Sequence, residues 1–242
     1  MALVCEAIVG AMRGNPEAHT VGEKGVRTLL QLGDTWHAAL AQQQLAWVAV
    51  CQGSDRQAEL IEASLVSYRE VGDSVGVAIE LNDLAGVARW QGDYERAAVL
   101  YDQSTALFRE LGLRPDLARA LHGLGMVAYH QGQVERARAL LSESFRLFRE
   151  ANHIDGIGWC FEGFAGIAAH EGQPLRAVRL LAADATINDP IHSHGLPAQA
   201  EWQRIAASAR AQLDEAAWEA AWAEGQALTL EQAIAYALSD ET

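Results

Sequence analysis

The side chains most able to do chemistry in this chain are its histidines, its three cysteines and its many carboxylates. His122 and His130 lie two helical turns apart, and His192 and His194 flank Ser193 in a stretch rich in Pro and Gly. A metal needs ligand atoms converging within about 2.1 Å of one ion, and nothing in these spacings enforces that. The loop histidines change charge near pH 6.5, so a pH-sensitive loop is a second reading of that pair. Acid–base catalysis needs a carboxylate paired with another, or with His, in a closed pocket. Glu95, Glu135 and Glu143 instead fall at helix starts or on outward faces. There is no GxSxG nucleophile turn, no HExxH and no Cys with an evident base, so catalysis by this chain alone is not expected. Cys5, Cys51 and Cys160 are far apart, with no CxxC among them, and read as buried free thiols of a reducing cytoplasm.

Whatever these residues do, they must be positioned by helices. The stretch from Leu81 to Gly112 holds two apolar patterns of helical spacing divided at Gly92 and closed at Gly112. Leu81, Leu84, Ala85 and Ala88 share one face, then Tyr94, Ala97, Ala98, Tyr101, Leu107 and Phe108 share another. This predicts a helical hairpin. Its turn glycine recurs as Gly14, Gly53, Gly92, Gly132 and Gly172, at intervals of 39, 39, 40 and 40 residues. A second ladder, Gly33, Gly72, Gly112 and then Asn152, marks the ends of the second helices. A left-handed residue is needed there, and Asn tolerates that conformation best after Gly.

The repeat resembles the tetratricopeptide repeat. Counted with each turn Gly as the fifteenth position, the family's Leu and small residue fall on Leu45 and Ala46, Leu84 and Ala85, Leu124 and Gly125, and Phe164 and Ala165. The small residue of the second helix falls on Ala58, Ala97, Ala137 and Ala177, while the first copy departs with His19 and Pro16. The period exceeds the family's usual 34 residues, as in extended repeats of large bacterial regulators. The resemblance implies an all-α, right-handed tetratricopeptide-like solenoid with a C-terminal helical cap. About five units are expected near 1–33, 34–72, 73–112, 113–152 and 153–187, then a loop at 188–196 and a cap over 197–242.

Composition narrows the partners. The chain has 242 residues, half of them apolar, and a net charge of −14. An acidic chain with a single lysine, Lys24, is poorly suited to phosphate contact, so no direct nucleic-acid binding is expected. No GxxxxGK[ST] loop is present and no apolar run is long enough to span a bilayer, so a cytoplasmic protein without cofactors is expected.

Along the chain, the apolar Leu3, Val4, Ile8 and Val9 suggest an exposed, sticky N-terminal edge and a chain that is a piece of something longer. Gly22 and Gly25 each cost the second helix about 1 kcal/mol relative to Ala. Pro115 and Pro174 suit first turns, Ser54 with Gln57 and Thr229 with Gln232 read as capping boxes, and Asp214 reads as an N-cap. In the tail, Pro197 to about Leu213, a short helix ending before Gly225, and a third helix are expected. Trp202, Trp218, Trp222 and Tyr236 would dock them on the last repeat. The wording LDEAAWEAAWAEGQALTLEQAIAYAL, with GWCFEGFAGIAAHEGQPLRAVRLLAA before it, resembles the C-terminal end of large LuxR-type and AfsR-type regulators.

In tetratricopeptide arrays the first helices line a concave groove. The resemblance therefore places Gln43, Asn82, His122 and Glu162 at one groove position, and Cys51, Trp90, His130 and His170 at another. Trp47, Arg89, Arg119, Met126, Tyr129 and Trp159 lie nearby. Aromatic faces with single polar groups suit a protein or peptide ligand, or a small-molecule inducer. The resemblance implies the sensing, protein-interaction part of a STAND-type bacterial transcription regulator. A structural module forming a homodimer through its apolar N-terminal edge is the alternative.

Overall fold

The computed structural model describes residues 1–12, 15, 17–51, 54, 56–187 and 195–239. Among them it contains thirteen α-helices and no strand. The expected turns at Gly14 and Gly53, and the loop with His192 and His194, lie outside the described residues.

The helices fall into two compact units, Met1–Gly112 and Leu113–Thr242. The first holds α1 (Ala2–Met12), α2 (Ala18–Gln31), α3 (Thr35–Cys51), α4 (Gln57–Val71), α5 (Ser74–Trp90) and α6 (Tyr94–Glu110). The second holds α7 (Arg114–His130), α8 (Val134–Glu150), α9 (Ile154–His170) and α10 (Pro174–Ile187). After these come α11 (Gly195–Arg210), α12 (Glu215–Gln226) and α13 (Leu230–Leu238). Helices α1 to α10 pair in sequence as hairpins, each first helix packed on the second.

The glycine ladders are backbone requirements. Gly33, Gly72, Gly92, Gly112, Gly132 and Gly172 all take φ between 70° and 80°, and Asn152 takes φ 52°. Asn152 is the one non-glycine residue with positive φ among the described residues. Alanine there is strained by about 1 kcal/mol. Asn152→Ala is therefore expected to lower stability by about that amount in urea unfolding and Asn152→Gly to lower it not at all.

Second-helix residues seal each hairpin. Ala97, Ala137 and Ala177 are fully buried, as are Phe108, Phe145 and Phe148. Leu141 lies where side chains on Gly125 and Gly163 would collide with it, so those glycines let α7 and α9 close around one leucine. Gly76 faces the Tyr68 ring and Gly156, eighty residues later, faces the Phe148 ring; an added Cβ would stand 2.4 Å from either. The buried Ser64 and Ser144 share that spacing, with Oγ donating to Ala39 O and Ala118 O respectively. Two consecutive hairpins therefore form a larger repeat.

Several sequence expectations are corrected. Gly22 and Gly25 are packing sites as well as helix weaknesses, since a Cβ on Gly22 would lie 2.1 Å from Leu45 Cδ2 and one on Gly25 would crowd Val4. In the first hairpin, whose pattern departs at His19, the neighbouring Ala18 is the small buried residue. Val4 is fully buried and Ile8 packs on the core, because the apolar stripe of α1 faces α2 and α3. Cys5 is exposed, whereas Cys160 is buried. The N-cap of α4 is Arg56, so Ser54 forms no capping box and only accepts from Arg56 N at 3.4 Å. The box of Thr229 and Gln232 forms, as does the Asp214 cap.

The tail docks differently from the expectation too. Helix α11 begins at Gly195, before Pro197, and α12 runs past Gly225. Trp202, Trp218 and Trp222 are half-buried and stack mainly on one another, with Trp202 edge-on to Trp222 at 6.1 Å. Small residues make the close contacts: Ala209, Ala221, Gly225, Ala233 and Ala237 are all buried. Arg176, itself buried, locks α13 by donating to the Tyr236, Ala237 and Ser239 carbonyls at 3.1, 3.2 and 2.6 Å. These carbonyls lie at the C-terminal end of α13, and that of Tyr236 also accepts from Ser239 N and Oγ.

Candidate functional site: the faces of the first helices

The expected groove residues sit on α3, α5, α7 and α9, and the two units treat them differently. In the first unit Trp47 and Trp90 are 46% and 39% exposed, and Val50, one turn after Trp47 on α3, is 45% exposed. Arg89 lays its guanidinium over the Trp90 ring at 3.7 Å from the centroid, while its Nε is buried without a hydrogen-bond partner. A guanidinium stacked on an aromatic face is attracted to the ring and keeps its outward N–H groups for a carboxylate. Gln43 is half-buried and accepts from Tyr68 Oη at 3.4 Å. Asn82 is buried and donates to Asp83 Oδ1 at 3.1 Å, so it belongs to the floor rather than the surface. The side chain of Cys51 lies outside the described set.

In the second unit most of the expected residues are engaged. Met126 is buried against the Gly163 backbone and is core, because the helix turns it toward α9. Glu162 is buried as well. His122 Nε2 lies 3.0 Å from the Trp159 carbonyl oxygen, and the Trp159 ring packs edge-on against Phe148 at 5.7 Å. Arg119 pairs with Asp116. Tyr129, His130 and His170 form an aromatic row, with Tyr129 5.1 Å from His130 and 6.5 Å from His170.

Tyr129 and His130 of that row are covered by α11, while His170 stays exposed. Glu201, Ile205 and Ala209, one helical face, are all buried. Glu201 Oε2 lies 3.3 Å from His130 Nε2 and accepts from Arg204 Nη1 at 2.7 Å. Ile205 sits over Gly166 and near it the Tyr129 ring, while Gln212 Nε2 donates to Ala169 O at 3.2 Å. Burial and the Glu201 charge raise the Tyr129 pKa. The sequence reading missed this occupant. Its signal was the four-residue spacing of Glu201, Ile205 and Ala209 along one side of the helix.

The Cys160 thiol is pushed up to about 12 by burial and is a poor nucleophile. Among the described residues no three His, Cys, Asp or Glu side chains are grouped to hold a metal ion. No helix among them is long and apolar enough to cross a membrane.

The helical hairpins recur about every 40 residues. Residues 77–150 match the tetratricopeptide repeat family model. Tetratricopeptide repeats as a class bind protein partners, and that is the coarse function the match gives. Among solved structures, the chain is similar to a point variant of the kinesin light chain TPR-like repeats of Podosopora anserina. That likeness has 20% identity and a TM-score of 0.61 over 84% of this chain and 95% of that one. It is also similar to BtubC (BKLC) from P. vanneervenii, with 16% identity and a TM-score of 0.57 over 95% of this chain and 94% of that one. At these identities the likeness shows the fold, an all-helical tetratricopeptide-like solenoid. No curated protein sequence matches significantly.

Proposed function

We propose that the chain is a non-catalytic protein-interaction module that holds a peptide segment of a partner on the first-helix face of Met1–Gly112. The observation that carries this reading is the Arg89 guanidinium resting on exposed Trp90 of α5, with Trp47 and Val50 exposed on α3, the first helix of the preceding hairpin. Such a surface supplies apolar contact for affinity and one directional charge for register. The five hairpins with their helical cap are then the structural units of the module. Within this reading, the resemblance of the tail to LuxR-type and AfsR-type regulators supports a role as the sensing C-terminal part of a STAND-type switch, with a protein, peptide or small inducer as the signal. Binding could bias such a switch only through different affinities for its two states. The homodimer alternative keeps part of its basis: Val4 and Ala7 are buried, while Met1 and Val9 of the same edge are exposed.

The test is selection of peptides from a displayed random library on the full chain. Selected peptides are expected to lose about tenfold or more in affinity, at least about 1.4 kcal/mol, on Arg89→Ala and on Trp90→Ala, and to keep it on Trp218→Ala. Binding that survives both groove substitutions, or that fails only on Trp218→Ala, would reject this face as the site.

A further inference from the structure

The three helices of the tail are held in different ways. Helix α12 lies against α10 at Gly225, so close that a Cβ there would stand 2.4 Å from Arg179 O, and Arg179 pairs with Glu224. Helix α13 is tied to α10 by Arg176. Neither attachment uses α11. Helix α11 lies along α9 and α10, touches α12 through Trp202 on Trp222, and buries one stripe of its own. In that stripe Glu201 Oε2 stands 3.3 Å from His130 Nε2 on α7, Ile205 sits over Gly166 on α9 beside the Tyr129 ring, and Ala209 follows one turn later. Gln203, Arg204, Ala207, Ser208 and Arg210 on its other sides are exposed. The head of the stripe is thus a carboxylate only 2% exposed. Taking an ion pair out of water costs about as much as the pair returns, so this contact fixes register and adds little to stability.

We infer that α11 is a self-supplied ligand of the α7–α9 face, displaced there by a partner-protein helix that offers the same carboxylate, aliphatic and small side chains at four-residue spacing. The chemistry of that helix is read from contacts already made. His130 takes a carboxylate, and the Gly166 backbone with the Tyr129 ring takes an aliphatic side chain, so a rival carrying both replaces α11 contact for contact. Because α12 and α13 keep their own anchors on α10, α11 leaves without unfolding them. Tyr129 and His130 belong to the second unit and Arg89 and Trp90 to the first, so this occupancy and the proposed function are tested independently.

The probe is a fluorescein-labelled peptide of residues 197–213. It is titrated by fluorescence anisotropy into the unaltered full chain and into the full chain carrying Ile205→Glu, which breaks the stripe of that chain's own α11. The peptide is expected to bind the Ile205→Glu chain at least about tenfold more tightly than the unaltered chain, whose face is filled. A peptide carrying Glu201→Lys is expected to bind the Ile205→Glu chain about tenfold more weakly, and adding His130→Glu to that chain is expected to invert the order of the two peptides. In the unaltered chain, hydrogen exchange followed by mass spectrometry is expected to release the α11 amides at least about tenfold sooner than those of α10 and α12. Equal binding to both chains, no binding to the Ile205→Glu chain, or an order that His130→Glu leaves unchanged would each overturn the inference. So would α11 amides protected as long as those of α10 and α12, or loss of cooperative unfolding of α12 and α13 in the Ile205→Glu chain, since either makes α11 part of the core.

Discussion

Gly225→Ala is expected to destabilise the second unit by about 3 kcal/mol and to loosen α12 from α10. Helix propensity alone predicts the opposite sign, a gain of about 1 kcal/mol for Ala over Gly inside a helix. Packing decides the matter. A Cβ at residue 225 would stand 2.4 Å from Arg179 O, 2.8 Å from Arg179 Cα and 2.7 Å from Ala182 Cβ. Two of these three atoms are backbone, so no side-chain rotation relieves the clash and the helices must separate. Separation also weakens the ion pair of Arg179 with Glu224 and exposes Ala221. Urea unfolding followed by tryptophan fluorescence checks this, since Trp218 and Trp222 lie on α12. A midpoint that rises on Gly225→Ala would show that α12 is not held where the contacts place it.

Glu80→Gln is expected to raise stability at pH 8 by roughly 2–4 kcal/mol and to change nothing at pH 4. Glu80 is fully buried, and burial, helped by the charge of Asp83, pushes its carboxyl up to about 8. The hydrogen bonds call for the neutral form independently. Ser64 Oγ lies 3.0 Å from both Ala39 O and Glu80 Oε1, yet a hydroxyl has one proton to donate. A protonated Glu80 supplies the second proton, donating to Ser64 Oγ while Ser64 donates to Ala39 O. The glutamine amide reproduces that chain without titrating. The sign follows from proton counts. Below pH 4.5 the carboxyl is protonated whether the chain is folded or not. Between 4.5 and about 8 only the unfolded state releases its proton, so stability falls by about 1.4 kcal/mol per pH unit, to at most about 5 kcal/mol. Above that range the folded group ionises too and the slope ends. Denaturation series at pH 4, 6 and 8 measure it, and parallel curves for the two proteins would contradict a neutral Glu80.

The hairpins were legible because their ends are fixed by backbone conformation. Positive φ at six glycines and Asn152 is a local demand that only a few residue types meet, so spacing alone revealed it. Thr229 with Gln232 and Asp214 were legible for the same reason, as each bonds within its own turn. Tertiary facts were harder to read. Gly22, Gly25 and Gly225 look like weak points of helices until the neighbour is known, and each proves to be a place where another helix comes close. The tail was expected to dock by tryptophan because large apolar side chains carry the most area, whereas near-contact of helix axes favours alanine and glycine. Arg176 gave no signal at all, since its acceptors lie some sixty residues away. Glu80 gave one: a carboxylate inside the apolar run VGVAIEL is unusual enough to suspect burial.

The candidate surface divides along the same line. Repeat register was enough to put Trp47, Arg89 and Trp90 on an outward face, because register fixes direction on a helix. It could not show that the matching face of the second unit is taken by α11, since that depends on where a later helix comes to rest. Met126 shows the smaller error that register allows: a position that is open on α3, as Trp47, is closed on α7 once Gly163 brings α9 near.

The most direct test of the account is a ¹H–¹⁵N spectrum of the indole groups of the seven tryptophans during titration with a library-selected peptide. The account predicts that the Trp47 and Trp90 Nε1–H signals move with the binding curve while those of Trp159, Trp202, Trp218 and Trp222 hold their positions. Shifts confined to Trp202, Trp218 or Trp222, with Trp47 and Trp90 unmoved, would place the partner on the C-terminal helices and contradict it.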